Sequence, residues 1–72
     1  MTWYQFPAFD SSNIESIRYD DETSTLEVRF INGGTYHYFD VPEHVRMDFE
    51  RSESKGQFLA SNIKGQFRYG KI

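Results

Sequence analysis

An α+β domain is what this sequence predicts: a three-stranded antiparallel β-meander followed by one main helix and a short second helix packed on one face. Three observations carry the expectation. Thr25-Leu26-Glu27-Val28-Arg29-Phe30 alternates polar and apolar residues without a break, the period of a strand with one buried and one wet face. Asn32-Gly33 follows at once, a dipeptide suited to the two positive-φ positions of a tight hairpin turn. Val41, Val45 and Phe49 then recur at i, i+4 and i+8, the apolar stripe of an amphipathic helix.

Residues 1–10 hold Trp3, Tyr4, Phe6 and Phe9, interrupted by Pro7. Pro7 argues against a central strand, and so many aromatics argue against a free tail. The segment is expected to be an ordered aromatic arm, either covering core or docking a partner. Ser11-Ser12-Asn13 offers turn or capping chemistry. Residues 14–19 read as a first strand, with Ile17 and Tyr19 on one side. Residues 20–24 are polar throughout and make a turn. In the second strand Leu26, Val28 and Phe30 share one face. In the third, over residues 35–39, the chain is β-branched or aromatic apart from His37. Period-2 geometry sends Tyr36 and Tyr38 to one side and Thr35, His37 and Phe39 to the other.

Pro42 suits the first turn of a helix over residues 42–52, since its missing N–H costs nothing there. Arg46 and Glu50 pair at i,i+4 on the wet side of that helix. Ser54-Lys55-Gly56-Gln57 has the S-x-x-Q form of a capping box. It opens a second helix whose apolar side is Phe58, Leu59 and Ile63, with Gly65 placed to stop it. Residues 66–69 read as a last short strand or an extended tail. Leu26, Val28, Phe30, Val45, Phe49 and Ile63 are expected to form one contiguous core.

A chain of 72 residues is one small domain. Domains this short bury only about 60% of the surface of the unfolded chain. Without cysteine no disulfide can make up the difference, a composition that fits a reducing, cytoplasmic setting. Seven Phe, five Tyr and one Trp must therefore supply the core, each burying about 150–250 Å². Self-association into a homo-oligomer is a further source of buried area. No signal peptide or membrane span is legible.

The net charge of −3 is unevenly spread. Residues 1–54 carry four basic side chains against all eleven acidic ones, whereas residues 55–72 carry Lys55, Lys64, Arg68 and Lys71 and no acid. The split points to an anion-facing end on an acidic body, or to a solvated basic terminus. Lys55-Gly56 sits in the first turn of the second helix, where free N–H groups favour an anion. Lys64, Arg68 and Tyr69 follow and could close over a phosphate. Tyr36 and Tyr38 are either core aromatics or a platform on which bases stack. If they are core, His37 and Arg29 on the opposite face are the better ligand contacts.

Catalysis is not expected. The nucleophiles would be Ser or Thr, and neither His37 nor His44 stands in a recognisable catalytic context. The spacing of His37, Asp40, Glu43 and His44 matches no standard metal-ligand pattern, so neither metal nor cofactor is expected. Gly33-Gly34 joins two strands and opens no helix, unlike a phosphate loop.

Ser12-Asn13-Ile14, Leu26 to Phe30, Gly33-Gly34-Thr35-Tyr36-His37-Tyr38, Val41-Pro42, Ser54-Lys55-Gly56-Gln57-Phe58 and Asn62-Ile63-Lys64-Gly65 together resemble the KTSC domain. That module occurs at the C-terminus of some lysyl-tRNA synthetases and as a stand-alone bacterial or phage protein. Its central Tyr-x-Tyr corresponds to Tyr36-His37-Tyr38. The resemblance spans about residues 11–69, so the chain divides into an arm, 1–10, and a single KTSC-like domain, 11–72. What the resemblance implies is RNA binding, by association with the synthetase alone. The resulting expectation is a non-catalytic binding module for phosphate-bearing ligands, RNA or a small nucleotide that it could sequester. The acidic balance favours the smaller ligand. The alternative is a protein-interaction module using the aromatic arm.

Overall fold

The computed structural model describes residues 3–72. Its elements run β1 (Trp3–Gln5), β2 (Ile14–Asp20), β3 (Thr25–Phe30), β4 (Gly34–Tyr38), α1 (Glu43–Arg51), α2 (Lys55–Phe58) and β5 (Tyr69–Lys71), with a five-residue π-helix, Leu59–Ile63, continuing α2. The strands form one antiparallel sheet in sequence order, β1-β2-β3-β4-β5. The α+β class is as expected, with five strands where the sequence suggested three. Both additional strands are three residues long and lie at the sheet edges, too short to show an alternation of their own. The arm contributes β1, paired Trp3 with Asp20 and Gln5 with Arg18. Pro7 follows that edge strand rather than interrupting it, where its missing N–H is harmless. Met1 and Thr2, the start of the predicted arm, lie outside the described residues.

The β3–β4 turn corrects a local expectation. Phe30 pairs with Gly34, so the loop is the three residues Ile31-Asn32-Gly33. The positive φ falls on Gly34, at 83°, and not on Asn32 or Gly33. A three-residue loop closed by a left-handed glycine is the other common way to join twisted strands, and Gly34 adopts that conformation without a Cβ penalty.

Register fixes the two faces. Ile17 lies opposite Val28, Tyr19 opposite Leu26, Val28 opposite Tyr36 and Leu26 opposite Tyr38, so all of these side chains share the helix-covered side. A register shift between Ile14 and Ser16 resets the period and lets both Ile14 and Ile17 enter the core. Leu26, Val28, Phe49 and Ile63 are fully buried, with Phe30 and Val45 packed at the edge of the same cluster. Phe6, Ile14, Ile17, Tyr19, Tyr38, Val41 and Leu59 complete it. Phe49 is the keystone, stacked on Phe58 at 5.0 Å and edge-on to Phe6 at 5.6 Å.

Pro42 precedes α1 as its cap residue, its carbonyl accepting from Val45 and Arg46 N–H at 3.1 and 3.2 Å. Arg46 is less wet than its position suggested. Its side chain is 16% exposed, lies over the Tyr4 and Tyr19 rings, and donates to Glu50 at 2.7 Å. Tyr4 also donates its hydroxyl to Glu50, which ties β1 to α1.

Candidate functional site

A groove of about 630 Å³ opens where the sheet meets the π-helix. Tyr36 and Tyr38 project from β4 and Phe30 from β3, while Tyr69 comes from β5; together they make an aromatic floor. Tyr38 is 3% exposed and is both core and floor. Burial raises its phenol above the ordinary value of 10.0, with the neighbouring Tyr36 and Tyr69 adding to the effect. Tyr36 is half-buried, edge-on to Phe30 at 5.7 Å and tilted against Tyr69 at 6.0 Å. Tyr69 is 61% exposed. Tyr38 is packed, whereas Tyr36 and Tyr69 present ring surface to the groove.

Asn13, Gly33, Lys64 and Gly65 form the rim. The Lys64 backbone N–H bonds Leu59 O at 2.9 Å, an i→i−5 bond, and the widened turn it closes delivers Lys64 and Gly65 to the groove. Such π-turns recur at functional sites. The Lys64 ammonium lies 5.7 Å from the Phe30 ring centroid and has no acidic partner among the described residues. Asn13 Oδ1 accepts from Ser11 Oγ at 3.1 Å.

Of the nine residues singled out in the sequence, the groove gathers four: Tyr36, Tyr38, Lys64 and Tyr69. Lys55 and Gly56 line a separate depression that shares Asn13 with the groove. Lys55 donates to Ser52 O at 2.6 Å and lies over Phe9, so its ammonium fastens the α1–α2 junction. A Cβ on Gly56 would stand 3.2 Å from Asn13 Oδ1; this glycine allows close packing. Ser54 does cap α2, accepting from Gln57 N–H at 3.3 Å. Among the described residues, His37, Asp40, Glu43 and His44 do not come together as a metal site.

His37, Arg29 and Arg68 lie away from the groove. On the opposite face of the sheet, Glu27 accepts from Arg18 and lies 2.9 Å from His37 Nε2. Burial pushes the Glu27 carboxyl up, but the hydrogen bonds and charges of Arg18 and His37 outweigh this and hold it below its ordinary value. Trp3 packs against His37 at 5.7 Å and beneath the Arg18 guanidinium at 4.4 Å. Arg29 is exposed, opposite Thr35. Arg68 covers the Phe39 ring and pairs with Asp40 at 3.3 Å.

Sequence reasoning took Phe30 only as core, Asn13 as a turn residue and Gly65 as a helix stop. Each also lines the groove, and only the register of β3 and β4 and the course of the π-helix could bring them together.

The KTSC domain family model matches residues 10–67. The chain belongs to the KTSC family. It is similar to a KTSC domain protein of Yersinia pestis whose crystal structure superposes with a TM-score of 0.90, at 41% identity, covering 99% of both chains. It is also 40% identical over 63 residues to a lysine–tRNA ligase of Nostoc sp., a match covering 88% of this chain and 11% of the ligase. The chain therefore spans about a ninth of the length of that relative. A protein of Tsukamurella paurometabola is 41% identical over 59 residues, 82% of this chain and 88% of its own length. Sequences similar to this domain thus occur both as a small part of a lysine–tRNA ligase and as most of a small protein. Among the described residues of this one, no helix is long and apolar enough to cross a membrane.

Proposed function

We propose that this KTSC domain is a non-catalytic binding module for a phosphate-bearing ligand, a nucleotide or a short stretch of RNA, received in the groove between the sheet and the π-helix. The observation that carries the reading is the pairing of an aromatic floor, with Tyr36 half-buried and Tyr69 exposed, and the ammonium of Lys64 at its rim, which has no acidic partner among the described residues. A flat ring stacking on tyrosine gains about 1–3 kcal/mol per base, and a lysine beside it supplies the counter-charge for phosphate. The volume lies in the range of small-ligand sites, about 300–1,000 Å³. The relatives named as lysine–tRNA ligases are consistent with an RNA-related ligand. The net charge of −3 weighs against long nucleic acid, which needs many cationic contacts.

The arm offers less to a protein partner. Phe6 is in the core, Tyr4 is bonded to Glu50, and Trp3 is packed against Arg18 and His37. A cysteine-free chain suits the reducing cytoplasm, where nucleotides and RNA are abundant.

A thermal-shift screen against nucleotides and short RNAs tests the proposal. A ligand at 100 times its Kd stabilises the fold by about 2.7 kcal/mol, a shift of about 10–20 °C for a domain this small. Tyr36→Ala, which loses about 1–3 kcal/mol of stacking, should cut the shift by about a third or more at the same ligand concentration while leaving the unliganded protein folded. No response to any nucleotide or RNA removes the proposal.

A further inference from the structure

Lys71 belongs to none of the motifs in the sequence, yet its position is informative. In β5 it pairs with Tyr36, so both side chains leave the sheet on the groove side. Its side chain folds back over the β3–β4 turn: a Cβ on Gly34 would lie 3.0 Å from Lys71 Cε and 3.7 Å from its Nζ. Gly34 pairs in turn with Phe30, the ring beside which the Lys64 ammonium lies. Two ammonium groups therefore lie near the turn: Lys64 in the groove wall beside the Phe30 ring, and Lys71 beside Gly34, next to the groove lining rather than part of it. Tyr38 and Tyr69, paired further along the strands, mark the other end. Lys64 and Lys71 have no carboxylate within bonding distance among the described residues. Arg18, Arg46 and Arg68, by contrast, are all paired.

We infer that the turn end of the groove holds a terminal phosphate. The groove then takes one nucleotide, with its phosphomonoester between Lys64 and Lys71 and its base toward Tyr36 and Tyr69. The inference rests on the nucleotide reading above and sharpens it. Charge favours a terminal group: a phosphomonoester carries about −1.5 to −2 near neutral pH, whereas an internal diester carries a single charge, and two lysines match the former. The missing side chain of Gly34 is what lets the Lys71 stem lie against the turn.

The test compares ligands that differ only in where the phosphate sits. Calorimetric titrations would use the four ribonucleosides, their 5′-monophosphates, and one dinucleotide with and without a 5′-terminal phosphate. The monophosphates and the phosphorylated dinucleotide should bind at least about tenfold more tightly than the forms lacking the terminal group. Lys71→Gln and Lys64→Gln should each erase most of that preference without changing the melting temperature. The ³¹P resonance of a bound monophosphate should titrate at lower pH than that of the free one, and by less in Lys71→Gln. If the unphosphorylated dinucleotide binds as tightly as the phosphorylated one, and Lys71→Gln leaves monophosphate affinity unchanged, the terminal-phosphate inference is overturned while the nucleotide reading stands. If none of the nucleosides or nucleotides binds, that reading fails and the inference falls with it.

Discussion

Replacing Phe49 with alanine removes the ring at the centre of the molecule. Phe49 is 0% exposed, and it joins three parts of the chain: its own helix, Phe58 of α2 by parallel stacking, and Phe6 of the N-terminal segment edge-on. A buried Phe→Ala change costs about 3–5 kcal/mol through lost transfer energy and the cavity left behind. Two aromatic pairings, each worth about 0.5–1.5 kcal/mol beyond burial, place this site at the upper end. A domain of 72 residues holds only about 4–11 kcal/mol in total. The variant should therefore melt about 15–30 °C below the parent, followed by far-UV circular dichroism, or be unfolded at room temperature. Phe49→Leu, which keeps most of the volume but loses both ring pairings, should cost less, about 1–3 kcal/mol, and stay folded. If Phe49→Ala melts within a few degrees of the parent, α1 does not pack on the sheet as described.

Other outcomes follow from the same contacts. Deleting residues 1–10 removes β1, the Tyr4–Glu50 bond and buried Phe6, so the melting temperature should fall; an unchanged one would refute the role of the strand. The depressed Glu27 carboxyl contributes stability that is present above its unfolded value near 4.5 and is lost as pH falls through the lower folded value. Acid titration should therefore show a loss of stability below about pH 4.5, shallower in Glu27→Gln. An identical acid limb in that variant would exclude the Arg18–Glu27–His37 cluster as its source. Tyr38 behaves in the opposite sense: its phenol is raised, so its contribution is full below 10.0 and disappears as pH rises beyond that, an alkaline limb that Tyr38→Phe should weaken. Lys55→Ala should cost about 1 kcal/mol for the lost bond to Ser52 and leave nucleotide titrations unchanged; weaker nucleotide binding would return Lys55 to the site.

The central meander and main helix were legible because each is long enough to show its period: Leu26, Val28 and Phe30 at two residues, Val45 and Phe49 at four. The edge strands were legible only in part: a last strand or tail was read over residues 66–69 and lies at Tyr69–Lys71, and Trp3–Gln5 was read only as an arm, because both form by pairing with β2 and β4. A register shift at Glu15 hid the core position of Ile14. At the site, the Tyr-x-Tyr alternation correctly placed Tyr36 and Tyr38 on the face of Val28. What separates them is depth: Tyr38 lies beside Leu26 in the middle of the sheet, and Tyr36 nearer the open turn. Lys55 was read as a free cation because its local sequence shows only a capping box; its bond to Ser52 depends on how α1 meets α2. Lys71 was read only as part of the basic end, since its alternation with Tyr69 has meaning only once β5 is known to pair with β4.

The most direct measurement is a titration of the ¹⁵N-labelled protein with a ribonucleoside 5′-monophosphate, followed by amide and tyrosine-ring chemical shifts. The groove predicts saturable changes centred on Asn13, Gly33, Tyr36, Lys64, Gly65 and Tyr69, with Trp3, Glu27 and His37 on the opposite face unmoved. Changes centred on Trp3 and His37, or none at any concentration, would contradict it.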